Sequence, residues 1–211
     1  SLPKISTNSF SKIIKCIENQ NTKNNSLNRE IVLFVDEFSN YLESEIATDT
    51  YQLLEKLGYR ITVIDTLDSA RALLSKGFLQ EAKAEVNKNV STLKELVSES
   101  SPLIGIEPSA ILGFRDEYIR LATDEVSARA IAKNTYLIEE FLASEIQKGT
   151  ITADLFTSEE KTIKIHNHCH QKALSNQKVT FDILNLPLNY KPAIMATGCC
   201  GMAGSFGYEK Q

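Results

Sequence analysis

The chain has 211 residues, 42% hydrophobic and 24% charged, with a formal charge of −4. This length can bury the core of one large domain or two small ones. The acidic balance gives no basic field for nucleic acid or an anionic membrane, and no apolar run approaches the roughly twenty residues of a membrane-spanning helix. Residues 1–12 carry no apolar signal core. Three of the four cysteines, Cys169, Cys199 and Cys200, fall late in the chain. That is no disulfide scaffold; it points to site chemistry in a reducing, cytoplasmic compartment. The chain opens on Ser1-Leu2-Pro3 without Met and closes soon after a Gly-rich motif, as a piece of a longer polypeptide would.

Residues 1–29 read as a polar linker with one short helix, where Phe10, Ile13, Ile14 and Ile17 recur at helical spacing. Cys16, at the edge of that apolar side, reads as a buried or interface thiol. A first unit is expected over residues 30–150. The aliphatic run at 31–35 reads as a strand buried on both faces. A helix over 45–57, with Ile46, Leu53, Leu54 and Leu57 inward, ends at Gly58, and a second strand follows over 59–64. A strand–helix–strand of this length implies parallel pairing and a right-handed crossover. A long helix is expected over about 70–99, where Ala82, Val86, Val90, Leu93 and Val97 share a face, with Gly77 marking a kink or a break. A third strand at 103–106 leads into Glu107-Pro108-Ser109 and a helix starting near Ala110. One continuous helix is expected over 125–147, with Asp124 and Glu125 at its positive end and Gly149 closing it.

The pattern then restarts over residues 151–211. A strand at 162–165 runs into His166-Asn167-His168-Cys169-His170, a short helix covers 179–186, and a strand at 193–196 runs into Thr197-Gly198-Cys199-Cys200-Gly201. IVLFVDEF aligns with TIKIHNHC, and residues 66–70 fall over 197–201; with one gap Glu37 falls over Cys169. The fold class is therefore α/β, with two similar βαβ-based units, each holding a small parallel sheet, related by an internal repeat. Ligands of open α/β sheets bind beyond the carboxyl ends of the strands, so Cys169 and the adjacent Cys199 and Cys200 are expected to meet in space.

Adjacent cysteines bond to each other only with strain, whereas two neighbouring thiolates suit iron or zinc. Gly201 and Gly204 permit a tight turn and bring N–H groups close to cluster sulfides. A following helix would add its N-terminal dipole to the thiolates. In extended chain His166, His168 and His170 would share one face opposite Cys169. They either orient and solvate the site, or one of them, His168 or His170, is a further ligand or proton donor. Asp36, Glu37, Asp65 and Asp68 at strand ends read as helix caps or polar rims rather than acid–base pairs. The chain has no Walker loop, GxGxxG or GxSxG.

HNHCHQKAL together with TGCCGMAGSFGYE resembles the second repeat of the cysteine-rich CCG domain. That domain occurs in heterodisulfide reductase and in the iron–sulfur subunits of glycolate oxidase and anaerobic glycerol-3-phosphate dehydrogenase. VDEFSNYLESEI, ALLSKG and GIEPSAILGFRDEY are similar to the C-terminal region of FAD-linked oxidases of the D-lactate dehydrogenase type. The resemblance covers about residues 30–211. It implies an electron-transfer region with an iron–sulfur cluster of the 4Fe-4S kind on Cys169, Cys199 and Cys200, approached by Gly201. It also implies FAD in a flavin domain elsewhere in the polypeptide, a ferredoxin-like segment beside it, and a quinone or cytochrome acceptor. Cytoplasmic location follows, with peripheral attachment at the inner face of the membrane left open, and this chain by itself is expected to be inactive as a dehydrogenase. In the first unit the family's cysteines correspond to Glu37, to Asp68-Ser69-Ala70 and to Ala110, so that half has lost its thiolates. A further family cysteine falls downstream of this chain, leaving three ligands where four are expected. The alternatives are a degenerate docking module without a cluster, and a zinc or thiol site.

Overall fold

The computed structural model describes residues 4–18 and 29–198. Strand β1 (Glu30–Phe34) lies inside a parallel sheet with β2 (Arg60–Ile64), β3 (Leu103–Gly105) and β4 (Thr135–Leu137), in the order β2-β1-β3-β4. Successive side chains of a strand point to opposite faces, and here both faces are covered. Val32 and Phe34 meet Val86, Val90 and Leu93 of helix α5 (Leu79–Leu93) together with Phe114 and Tyr118. Ile31, Leu33 and Val35 meet Phe10 and Ile14 of α1 (Phe10–Glu18), Tyr51 and Leu54 of α3 (Ser44–Lys56), and Phe141. An unbroken apolar run, Ile31 to Val35, is what burial on two sides requires.

Several helices depart from expectation. The stretch at 70–99 is two helices, α4 (Arg71–Lys76) and α5, because Gly77 adopts φ +79° and its N–H closes on the carbonyls of Leu73 and Leu74. The apolar stripe Ala82, Val86, Val90 and Leu93 is buried as read, but the helix ends at Leu93. The continuous helix over 125–147 is α8 (Glu125–Lys133), then β4, then α9 (Ile138–Gln147). The Leu103 N–H donates to the Asn134 carbonyl (2.8 Å) as β4 pairs with β3. Thr-Tyr-Leu favours a strand, and pairing to the sheet overrides the helical pattern around it. In α3 the buried face is Ala47, Thr50, Tyr51 and Leu54, and Ile46 is exposed. Cys16 is likewise exposed, not buried. A short helix that the periodicity did not reveal, α2 (Glu37–Tyr41), follows β1 directly. Short helix α6 (Pro108–Ile111) follows β3, and α7 (Glu117–Leu121) precedes α8.

The second sheet pairs β5 (Lys161–Ile165) and β6 (Tyr190–Ile194) in parallel over five residues, the same span over which β1 pairs with β2. Between them lie α10 (Cys169–Leu174) and α11 (Lys178–Leu184). This unit rests on the first through Leu174, Ile183 and Leu186, which join its two cores. Arg115 fastens the junction. It donates to the Thr135 carbonyl, to the Glu140 carboxylate (2.9 Å) and to the Leu174 carbonyl (3.4 Å), and Glu140 also accepts from the Ser175 hydroxyl.

Candidate functional site

Chain leaving β5 turns through His166, Asn167 and His168, and α10 starts at Cys169. His168 is the N-cap, with φ −68° and ψ 149°, and its Nδ1 accepts from the His170 N–H (3.2 Å). The expectation of three histidines along one extended face is thereby corrected. His170 lies inside a helical turn, where its ring stacks on that of His168 with centroids 5.5 Å apart. With Nδ1 committed to the cap, a neutral His168 carries its proton on Nε2, 3.8 Å from Glu107 Oε1. His168 therefore orients the turn. Burial pushes the His170 imidazole below its ordinary range, helped by the nearby Arg71 guanidinium.

The carboxyl end of β6 is fixed against this turn. Lys172, one turn along α10 from Cys169, donates from Nζ to the carbonyls of Thr197 (3.0 Å) and Gly198 (3.2 Å). His166 Nε2 lies 3.3 Å from the same Gly198 carbonyl. Thus the β5 end, α10 and the chain beyond β6 converge on Gly198. Cys199, Cys200 and Gly201, expected here as ligands and approach residue, lie outside the described residues. Among the described residues no group of three or more His, Cys, Asp or Glu side chains is arranged to hold a metal ion. Cys169 is half-buried, and a side chain at Gly198 would meet open space. Cys169 brings one soft donor to this turn, a ligand type that suits iron or zinc.

The same edge of the first sheet is filled differently. Asp36 caps α2, accepting from the N–H groups of Phe38 (2.9 Å) and Ser39 (3.1 Å) and from the Ser39 hydroxyl (2.8 Å). Burial pushes its carboxyl up to about 6 against those bonds, and the neighbouring Glu37 and Glu107 add to the rise. Glu37 holds the first position of α2, as Cys169 does in α10. Its carboxylate is no cap: it reaches to the β2 loop and accepts from Ser69 N and Oγ, both at 2.8 Å. Glu107 Oε1 accepts from Ser109 N (3.1 Å) and Oγ (2.6 Å) at the start of α6, and Arg71 pairs with Glu117 (2.9 Å). Asp65 and Asp68 take part through their main-chain carbonyls, which accept from Asn40 (3.3 Å) and Asn89 (2.7 Å). Sequence reasoning missed Lys172 and Ser69. Lys172 bonds to main chain, which leaves no trace in side-chain pattern, and Ser69 meets a partner 32 residues away.

No protein-family model matches the chain, and no solved structure matches it. Among curated proteins it is 27% identical over 182 residues to D-2-hydroxyglutarate dehydrogenase of Escherichia coli (strain K12), covering 86% of this chain and 17% of that protein. It is 28% identical over 184 residues to the D-2-hydroxyglutarate dehydrogenase of Pantoea ananatis (strain AJ13355), covering 87% of this chain and 17% of that protein. A subunit of the anaerobic glycerol-3-phosphate dehydrogenase of Escherichia coli (strain K12) is 22% identical over 213 residues, covering 100% of this chain and 52% of that protein. The chain thus spans about a sixth of the length of the first two relatives and about half of the third.

Proposed function

We propose that this chain is the iron–sulfur electron-transfer region of a flavin-linked 2-hydroxy-acid dehydrogenase. In this reading Cys169, Cys199 and Cys200 supply thiolates, and Gly201 lets main-chain N–H groups approach. The observation that supports it is the tie of Gly198 to Lys172 and His166, beside the turn where α10 starts at Cys169. The curated relatives, dehydrogenases of D-2-hydroxyglutarate and of glycerol 3-phosphate by name, support the oxidoreductase class. A cluster here supplies one-electron steps between a flavin and a more distant acceptor. The protein's own part is to gather the thiolates and, through the His168 cap, to orient the turn that carries Cys169. FAD, a ferredoxin-like segment and a quinone or cytochrome acceptor complete the reading outside this chain, and the substrate is a D-2-hydroxy acid. None of the described helices is long and apolar enough to cross a membrane.

A second reading, a docking module without a cluster, draws support from the first unit. There Glu37–Ser69 and Arg71–Glu117 close the strand ends with protein groups alone. Iron and acid-labile sulfide analysis of the anaerobically purified full-length polypeptide separates the two. About four irons attributable to this region, lost in Cys169→Ser, is the expected result. Iron unchanged by Cys169→Ser, with the fold intact, favours docking, and stoichiometric zinc moves the site to thiol chemistry.

A further inference from the structure

We infer that the trench beside α1 is a self-complementary interface on which a second copy of this chain docks. The inference is independent of the cluster reading and lies on a different part of the surface.

The trench is two adjoining hollows, of about 530 and 290 Å³, that share Asn8 and Ile13. The first lies between the segment that enters α1, with Lys4 and Ile5, and the passage from α2 into α3, with Glu43, Glu45 and Ile46. The second continues along α1 past Lys12 and Cys16. Its walls are tied together. The Ser6 N–H donates to the Tyr41 carbonyl (2.8 Å), and Ser6 Oγ accepts from the Ser44 N–H (3.5 Å). Ser11 donates from N–H (3.1 Å) and from Oγ (3.0 Å) to Asn40 Oδ1, and Phe10 and Ile14 are buried in the core below. A preformed surface loses little freedom when it binds.

The rims of the first hollow are apolar as well as charged. Ile5 is 76% exposed and Ile46 48%, and Tyr41, just before the α2–α3 passage, is 50% exposed. Grouped exposed apolar side chains with charged neighbours mark association sites. The charges say what fits. Lys4 and Lys12 stand on the α1 side, and Glu43 and Glu45 on the α3 side; all four are exposed. None of them forms an ion pair among the described residues. A matching partner must offer an apolar centre with acid on one flank and base on the other. The same patch on a second copy does so. Rotation by a half turn about an axis running along the trench lays each lysine rim on the other copy's glutamate rim, and brings the isoleucines together at the centre. That reciprocity is the mark of a two-fold interface.

The test is sedimentation velocity on the full-length polypeptide from about 1 to about 100 µM, with reductant present so that Cys16 forms no covalent dimer. Wild type should dimerise with rising concentration, and added salt should weaken the dimer. Lys4→Glu with Lys12→Glu makes both rims acidic, and Glu43→Lys with Glu45→Lys makes both basic. Each double variant alone should self-associate about a hundredfold more weakly. An equimolar mixture of the two should recover association, because every rim then meets its opposite. Recovery in the mixture also shows that both variants are folded. A wild type that stays monomeric across the range overturns the inference, and the trench is then left to other parts of the polypeptide. Dimerisation untouched by either double variant overturns it too, by placing the contact elsewhere. A mixture no tighter than its components overturns the two-fold pairing.

Discussion

The two parallel strand pairs of this protein share a register and differ in almost everything built on it. β1 and β2 lie in a four-stranded sheet covered on both faces, and their carboxyl ends are closed by protein groups: Asp36 on α2, Glu37 on Ser69, Arg71 on Glu117. β5 and β6 form a two-stranded sheet in which Ile165 alone is buried. Their carboxyl ends present Cys169, two histidines and a loop held by a lysine. Where the first unit ends in carboxylates held by its own serines, the second ends in histidines and a cysteine.

The largest expected contrast is in the strands themselves. Leu33 of β1 and Lys164 of β5 occupy the same register position, opposite Val63 and Ala193. Leu33 is fully buried, and Lys164 is exposed. Leu33→Ala should cost about 3 kcal/mol in urea unfolding, through lost transfer free energy and the cavity left behind. Lys164→Ala should stay within about 0.5 kcal/mol, as surface changes do. Comparable losses at the two positions would mean that the second sheet carries far more of the fold than its exposure indicates.

The helix caps give the next contrast, and it depends on pH. Asp36 and His168 sit at equivalent N-caps. The Asp36 carboxyl is raised by burial from 3.8 to about 6. Between those values the folded protein keeps a proton that the unfolded chain has released, so stability falls as pH rises through the window. This component amounts to at most about 3 kcal/mol. In Asp36→Asn it should vanish, so the variant gains on wild type between pH 4 and pH 7 in paired urea titrations. A constant difference between the two proteins across that range would show that Asp36 is not the group responsible.

The strands and the parallel pairing were legible in the sequence because each leaves a local trace. The traces are the run Ile31 to Val35 and the glycines Gly58 and Gly149 at helix ends with positive φ. What escaped depended on distant partners. Thr135 to Leu137 has too few residues to break a helical pattern by itself and becomes a strand only because Leu103 to Gly105 lies beside it. Histidines that alternate on paper stop alternating once His168 caps a helix. Lys172 looked like any helix-surface lysine, since its acceptors are carbonyls 25 and 26 residues away.

The smallest expected effect bears most directly on function, because it compares the same position in both units. Glu37 and Cys169 each open the helix that follows the first strand. The Glu37 carboxylate accepts from the N–H and hydroxyl of the buried Ser69, bridging the β1 and β2 loops. Glu37→Ala leaves both donors without that acceptor and should cost about 1–2 kcal/mol. Cys169→Ser exchanges a half-buried sulfur for a hydroxyl of similar shape and should cost less than about 1 kcal/mol in metal-free protein. The order should reverse for metal. Glu37→Ala should leave iron content unchanged, whereas Cys169→Ser should reduce it. Iron lost in Glu37→Ala with stability intact would place a ligand or a ligand-positioning role in the first unit. Its carboxylate edge would then belong to the working site and not to a closed remnant of one.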